Sequence, residues 1–578
     1  MKHSKIALLV SAALFASFGA NADSTENRAT VDQNGTSNSA TVTQVDESVN
    51  NDVTINQIGT SNVANATQAR TSESTADIDQ DGERNLATVE QSDATQTSVA
   101  TVDTIGSDNK AYVTQKLNNA LAATATVTQR GDTNTATITQ NNGDAAVSTI
   151  TQNGNGDIAE VDNFWSDNAT ATIEQNLGTG NSAIISQNDS DSAAADLTQT
   201  GAGNIGSITQ NTGNGMHSAG SDTTNASLTQ TGNTNNSTVS QTAMYNSAVV
   251  LQEGDLNTAN VKQSAESNSA DVFQGGNSNI ANVDQTATAN TADVDQDGNE
   301  NEADIDQTGA SNSVTVAQTS SGSFAKVAQI GESNGATVAQ SGADHKATIT
   351  QSDFSNIAGV TQSGLNNSLT LVQSGSDLGL GNTATVSQGG TNDIATLSQI
   401  GNSNQVVIAQ GADSHDNTIS VSQSGQENYV GAASFGGGNS VTTITQTGDR
   451  NSVSENPNAS NIHGSGVGSA TYGSDNTLNI AQSGDDNTAY ADSSNDGSIV
   501  DIAQDGEFND AAVESWWGSD NEIFVSQVGN NHITDVFVDG GSSNHVNVTQ
   551  TDSYNTATVT SVGSSNSVTI TQGTVPTI

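Results

Sequence analysis

The sequence predicts an all-β chain, a β-solenoid of stacked strand-turn-strand arches with an 11-residue half-repeat and a 22-residue coil. Three observations carry this: a glutamine that returns every eleven residues, an alternation of period two leading up to it, and turn chemistry following it. Gln230, Gln241, Gln252, Gln263, Gln274, Gln285, Gln296, Gln307, Gln318, Gln329, Gln340, Gln351, Gln362 and Gln373 keep phase without a slip. Counted from each glutamine, the fifth place is asparagine in eleven of thirteen units, namely Asn235, Asn246, Asn257, Asn268, Asn279, Asn290, Asn301, Asn312, Asn334, Asn356 and Asn367, with Ser323 and His345 as the exceptions. The seventh place is alanine in ten units, and the ninth is always aliphatic, as at Val283, Val294, Ile305, Val316, Val327 and Val338. The unit is Q-x-G-x-x-N-x-A-x-V-x-Q.

Places five, seven, nine and eleven share one parity, so in an extended strand Asn, Ala, Val and Gln all point to one face while Ser, Thr, Asp and Asn occupy the other. A helix would need its fixed places three and four apart, and these are two apart. The x-G-x-x stretch is turn chemistry. From Gly232 to Gly298 that turn place alternates through Gly232, Ala243, Gly254, Ala265, Gly276, Ala287 and Gly298, so one coil is two strands and two turns, twenty-two residues. One coil has too little apolar surface to stand alone, and its neighbours must complete it. Inward Gln and Asn amides are then expected to bond to their equivalents one coil away, at the strand spacing of roughly 4.8 Å.

The organisation along the chain follows. Lys2 and Lys5, an apolar run from Ile6 to Phe18 and the sequence Ala20-Asn21-Ala22 read as a signal peptide over residues 1–22, cleaved after Ala22. Solenoid repeats are expected over 23–430 and again over 474–572. Residues 431–473, with Gly436-Gly437-Gly438 and Pro457, lose the period and are expected to form a loop or break, and 573–578 a tail. Neither end of the mature chain carries a recognisable capping element, and an uncovered coil that fits the opposite end of a second copy makes a head-to-tail contact that never closes. Self-association into a fibre is the expected result.

Composition narrows the partners. With 63 acidic residues against 12 basic ones and a formal charge of -51, the surface repels nucleic acid and anionic lipid and attracts cations. No run after the leader is long and apolar enough to enter a bilayer. Hydrophobic residues make up only 32%, which without a strict period would indicate disorder, and there is no cysteine to crosslink the chain.

The unit, as in Gln307-Thr-Gly309-Ala-Ser-Asn312 and Gln329-Ile-Gly331-Glu-Ser-Asn334-Gly-Ala336-Thr-Val338-Ala-Gln340, resembles the curlin repeat of curli fibre subunits. The resemblance covers most of the mature chain. It implies a secreted functional amyloid of Gram-negative bacteria, exported through an outer-membrane channel and polymerised at the cell surface as a biofilm and adhesion fibre. The chain is several times longer and far more acidic than the familiar subunit, and its signal peptide leads into the repeats with no targeting segment between. Main subunit, nucleator and accessory protein all remain open, as does the export route.

Other motifs weigh less. Asp293, Asp295, Asp297, Gly298 and Asp304 imitate a calcium loop, but fall on outward places of the repeat and lack flanking helices. At a period of twenty-two, Asp271 stacks near Asp293 and Asp284 near Asp306, which makes divalent cations or salt expected modulators of assembly. Phe164-Trp165 and Trp516-Trp517 fall in turns after units whose Gln place is replaced by Asn163 and Ser515, and either bind a partner or pack on the next coil. The seven histidines are scattered without metal spacing, and no nucleophile is placed beside a base, so the sequence assigns no catalytic, cofactor or metal residues and reads as non-enzymatic. The rival to a fibre is a monomeric surface adhesin or ligand-binding rod built on the same solenoid.

Overall fold

The computed structural model describes residues 24–93, 96–116, 122–213, 223–375, 380–454 and 467–573. The signal peptide with its cleavage place at Ala22, and most of the C-terminal tail, lie outside them. The chain divides at Asn268 and Ser269 into two compact units, each a β-solenoid. Among the described residues there is no helix.

In the first unit, successive strands alternate between two parallel sheets, so each coil contributes one strand to each. Arg28–Thr36 pairs with Asp52–Thr60 in one sheet, and Ser39–Val45 with Val63–Ala69 in the other. Ten strands per sheet are described. Register is held by the repeat rather than by sequence spacing. Gln33 pairs with Gln57, twenty-four residues on, and Gln199 with Gln230, thirty-one on, so the spacing varies while equivalent places stay paired. A one-residue slip would turn every inward side chain to solvent. Alanine and β-branched residues fill the space between the sheets: Ala76, Ile78, Ala100 and Val102 are fully buried.

The second unit repeats the arrangement from Ser269–Gly275 and Ile280–Gln285 onward, and here the coil is twenty-two residues over several turns: Ala270 pairs with Ala292 and Val283 with Ile305. Parts of 431–473 continue the two sheets. Tyr429–Phe435 pairs at Tyr429 with Ser452 and, further along, at Ala432 with Ser469, so two short pieces on either side of residues 455–466 together fill one rung. Gly437–Gly438 forms a separate two-residue pair with Ser414–His415.

The turns explain two places of the repeat. The residue before the asparagine is left-handed at almost every turn, for example Thr234, Tyr245, Leu256 and Ser267, and it reverses the chain into the next strand. Glycine at the second place after glutamine has a separate cause. Gly232 has φ +114°, and a Cβ there would sit 2.0 Å from the carbonyl oxygen of Gly254 in the next coil. Only a residue without a side chain lets the turns stack this closely.

Candidate functional site

Within each unit the repeated side chains converge on one kind of structure, columns of amides stacked inside the sheets and broken where the glutamine is replaced, as at Thr104 and Asn163. Every predicted ladder residue from Gln230 and Asn235 to Asn334 and Gln340 is at most 1% exposed, and Val283, Val294, Ile305, Val316, Val327 and Val338 at most 2%. Gln285 Nε2 donates to Gln307 Oε1 at 2.9 Å, Gln307 to Gln329 at 2.9 Å, and Gln329 to Gln351 at 2.8 Å. The second N–H crosses between sheets: Gln285 Nε2 donates to the Ser269 carbonyl at 3.0 Å and Gln307 Nε2 to that of Thr291 at 3.1 Å. Each glutamine therefore ties coil to coil and, within its own coil, closes the arch. Crossing to the opposite strand is not visible in the repeat, because it depends on how the two sheets face each other.

The columns have a direction. In each of these bonds the earlier glutamine donates and the later one accepts, from Gln44 to Gln68 at 2.9 Å in the first unit to Gln550 to Gln572 at 2.8 Å in the second. Asparagine works differently from glutamine. Asn235 Oδ1 accepts the backbone N–H of Asn257 at 3.0 Å, and Asn235 Nδ2 donates to the Gly254 carbonyl at 2.8 Å. It satisfies backbone groups that the turn would otherwise leave unpaired. Direct Asn-to-Asn side-chain bonds join the column in places, as from Asn404 to Asn382 at 3.0 Å. The two exceptions at this place behave according to their chemistry. His345 imitates the amide, its Nε2 on the Ser341 carbonyl at 3.1 Å and its Nδ1 accepting the Asn367 N–H at 3.3 Å. Ser323 is too short, and its Oγ is buried without a partner.

Outward places carry the charge. Asp271 pairs in register with Asp293, and Asp284 with Asp306. Burial and then the neighbouring Asp271 push the Asp293 carboxyl above the usual range. Asp293 and Asp295 lie on one sheet and Asp304 on the other, so the calcium-like spacing does not converge, and no group of three or more potential ligands gathers among the described residues. Basic residues are placed against this repulsion. Arg84 donates to both oxygens of Asp108 one coil on, at 2.8 and 2.7 Å, and Arg450 to both of Asp486 at 2.8 Å. Each guanidinium holds its partner's carboxyl below the ordinary value.

Eight segments of the chain match the curlin associated repeat family: residues 71–116, 122–154, 225–254, 254–286, 287–319, 322–352, 496–529 and 518–551. The chain is a curlin-repeat protein. The matches fall in both compact units, and each is longer than the single coil of twenty-two residues marked by Ala270 on Ala292. No curated protein matches the chain. Curlin repeats on a β-solenoid fit a curli-like structural protein, and the amide columns are the feature that the repeat encodes.

The aromatic pairs occupy strand ends and turns. Phe164 closes strand Ile158–Phe164 and Trp516 closes Asp510–Trp516, with Trp165 and Trp517 exposed beside them. The sequence reading missed a change on the outer face nearby. There Tyr490, Asp492 and Glu514, all on outward places, are buried. The available signal was the loss of glutamine from the column at Ser434, Thr471, Ser493 and Ser515.

Proposed function

We propose that this curlin-repeat protein is a secreted structural subunit that assembles end to end into extracellular curli-like fibres, serving biofilm matrix, surface adhesion and cell aggregation in a Gram-negative bacterium. A nucleator subunit and an outer-membrane secretion channel are the partners this reading implies. The role is structural rather than catalytic.

The observation that supports the reading best is the pairing at the outermost described coils. Among the described residues, Arg28–Thr36 and Ser39–Val45 are paired on one side only, and so is Ser567–Gln572. Val31, an inward residue elsewhere in the repeat, is 39% exposed. Such edges template another strand. The amide column also gives the contact a sense. Gln572 accepts from Gln550 and donates to the Thr556 carbonyl, which leaves one N–H directed onward, and Gln44 donates to Gln68 with its own oxygen on the outer side. A second copy stacked with its Gln44 over Gln572 continues the column; the reverse orientation sets like groups against each other.

The test is assembly of the purified mature chain. The fibre reading expects amyloid-dye binding, shortening of the lag phase by preformed seeds, and a meridional reflection near 4.8 Å, the strand spacing. A chain that elutes as a monomer at high concentration and never binds dye overturns it in favour of the monomeric adhesive rod.

A further inference from the structure

Between Tyr429 and Asp539 the second unit departs from its own repeat on one sheet only. The glutamine column of that sheet ends at Gln410, and Ser434, Thr471, Ser493 and Ser515 take its places, while the opposite sheet carries its glutamines on through Gln446, Gln482, Gln504 and Gln527. At the same rungs the outer face, elsewhere mostly polar and partly open to water, gains large side chains. Phe435 and Tyr472 are register partners with rings stacked at 5.6 Å, and Trp516 leans on Phe537 at 6.3 Å. Between these two aromatic pairs lies a cavity of about 180 Å³, lined by Tyr472, Asp492, Ser494, Trp516 and Trp517.

We infer that this cavity is a binding site for an organic ammonium cation of the choline or alkylammonium class. Its wall is predominantly apolar and aromatic, with one carboxylate. Ring faces attract a cation through their quadrupole, most strongly for tryptophan, and the attraction grows when water is excluded. Asp492 supplies the negative charge. It is 1% exposed, and it is held in place by the Ala470 N–H at 2.9 Å on Oδ1 and the Tyr490 hydroxyl at 2.7 Å on Oδ2. A carboxylate fixed this way does not swing out to water when the site is empty. An anionic ligand is disfavoured by the Asp492 carboxylate in the wall. A saccharide would need several hydrogen-bonding side chains, and the wall offers Asp492 and Ser494. This site is independent of fibre assembly, since it lies on the outer face away from the coil edges.

The chain has three tryptophans, so a Trp165→Phe background makes the emission report Trp516 and Trp517 alone. Titrating that protein with choline is expected to give a saturable change in emission. The neutral isostere 3,3-dimethylbutan-1-ol should bind about tenfold or more weakly, because it fills the same volume without the charge. Asp492→Asn is expected to weaken choline by a similar factor. Trp517→Ala, at a side chain 69% exposed whose loss leaves the packing intact, should weaken it several-fold and keeps the test alive if Asp492→Asn does not fold. Equal binding of choline and its isostere would reduce the site to an apolar cavity and overturn the inference. So would the absence of a saturable response to choline, or binding of glucose in its place.

Discussion

Gln307 offers the sharpest test of the amide column. Replacing it with methionine keeps length and volume and removes both amide functions. Three buried groups lose a partner: Gln285 Nε2, which donates to Gln307 at 2.9 Å; Gln329 Oε1, which accepts from it at 2.9 Å; and the Thr291 carbonyl, which accepts its second N–H at 3.1 Å. An orphaned buried polar group costs about 1–3 kcal/mol, so Gln307→Met should cost about 3–6 kcal/mol after the apolar gain of the methionine is set against it. Because a solenoid is stabilised by nearest-neighbour contacts, the loss should stay local. Hydrogen exchange read by mass spectrometry is the suitable assay: amides of the strands Ile280–Gln285, Glu302–Gln307 and Phe324–Glu332 should exchange about a hundredfold faster or more, while those around Ala76 stay unchanged. Gln572→Met is the internal control. Gln572 has one glutamine neighbour and is only half-buried, so the same replacement there should cost about 1 kcal/mol or less. If the two variants exchange alike, the columns do not hold the coils together.

Four further outcomes follow from the same geometry. Ser323→Asn should stabilise the chain by about 1 kcal/mol in urea unfolding, because the longer side chain relieves a buried hydroxyl without a partner and restores the bonds made at every other asparagine place. Gly232→Ala should cost several kcal/mol, roughly 3 or more, by forcing a Cβ to 2.0 Å from the Gly254 oxygen, whereas Gly335→Ala, with nothing within 4 Å and no left-handed backbone, should be neutral or stabilising; thermal melts of the two separate stacking from helical or strand propensity. Titration should affect two sites in opposite senses: burial lowers the His345 imidazole, so its contribution is present at neutral pH and is lost as pH falls through the ordinary value of 6.5, and burial followed by Asp535 raises Glu514 from 4.5 to about 7, so its contribution is greatest below 4.5 and is lost as pH rises towards 7. His345→Asn and Glu514→Gln should each flatten the corresponding limb of a stability profile. Finally, the aspartate pairs Asp271 with Asp293 and Asp284 with Asp306 should make assembly faster in added salt or calcium, and lag times that ignore both would remove the repulsion argument.

Much of the solenoid was legible because its determinants are local and repeated. A period of two before each glutamine marks the inward face, and the Gly–Ala alternation from Gly232 to Gly298 marks the coil of two strands, which the register of Ala270 on Ala292 reproduces. What the repeat could not disclose depends on juxtaposition across the arch. The bond from Gln285 to the Ser269 carbonyl requires knowing that the end of one strand lies opposite the start of the other. Asparagine was expected to bond amide to amide, and instead serves mainly the backbone of the next turn, because its shorter side chain stops level with the turn rather than reaching the neighbouring amide. The outer cluster around Asp492 escaped notice for a related reason: outward places vary freely in the repeat, so a change there carries no periodic signal.

The contrast between the two sheets of the second unit shows how this fold separates stability from specialisation. Past Gln410 one sheet gives up its amide column, and Thr471 Oγ1 donates to Ser434 Oγ at 3.1 Å where a Gln pair would stand, while the other sheet keeps its column from Gln423 to Gln446 at 2.9 Å and on to Gln482 at 2.7 Å. One rung of the former sheet is even built from two separate pieces, Ser452–Val453 and Ser469–Tyr472. Register is retained because the intact column, together with inward Ile444 on Ile480, holds the coil from the other side. A solenoid with two independent columns therefore has one to vary. Variation on the unladdered sheet reshapes the outer face into an aromatic cavity without shifting the coils, and the other column runs on unbroken through Gln527 and Gln550 to Gln572.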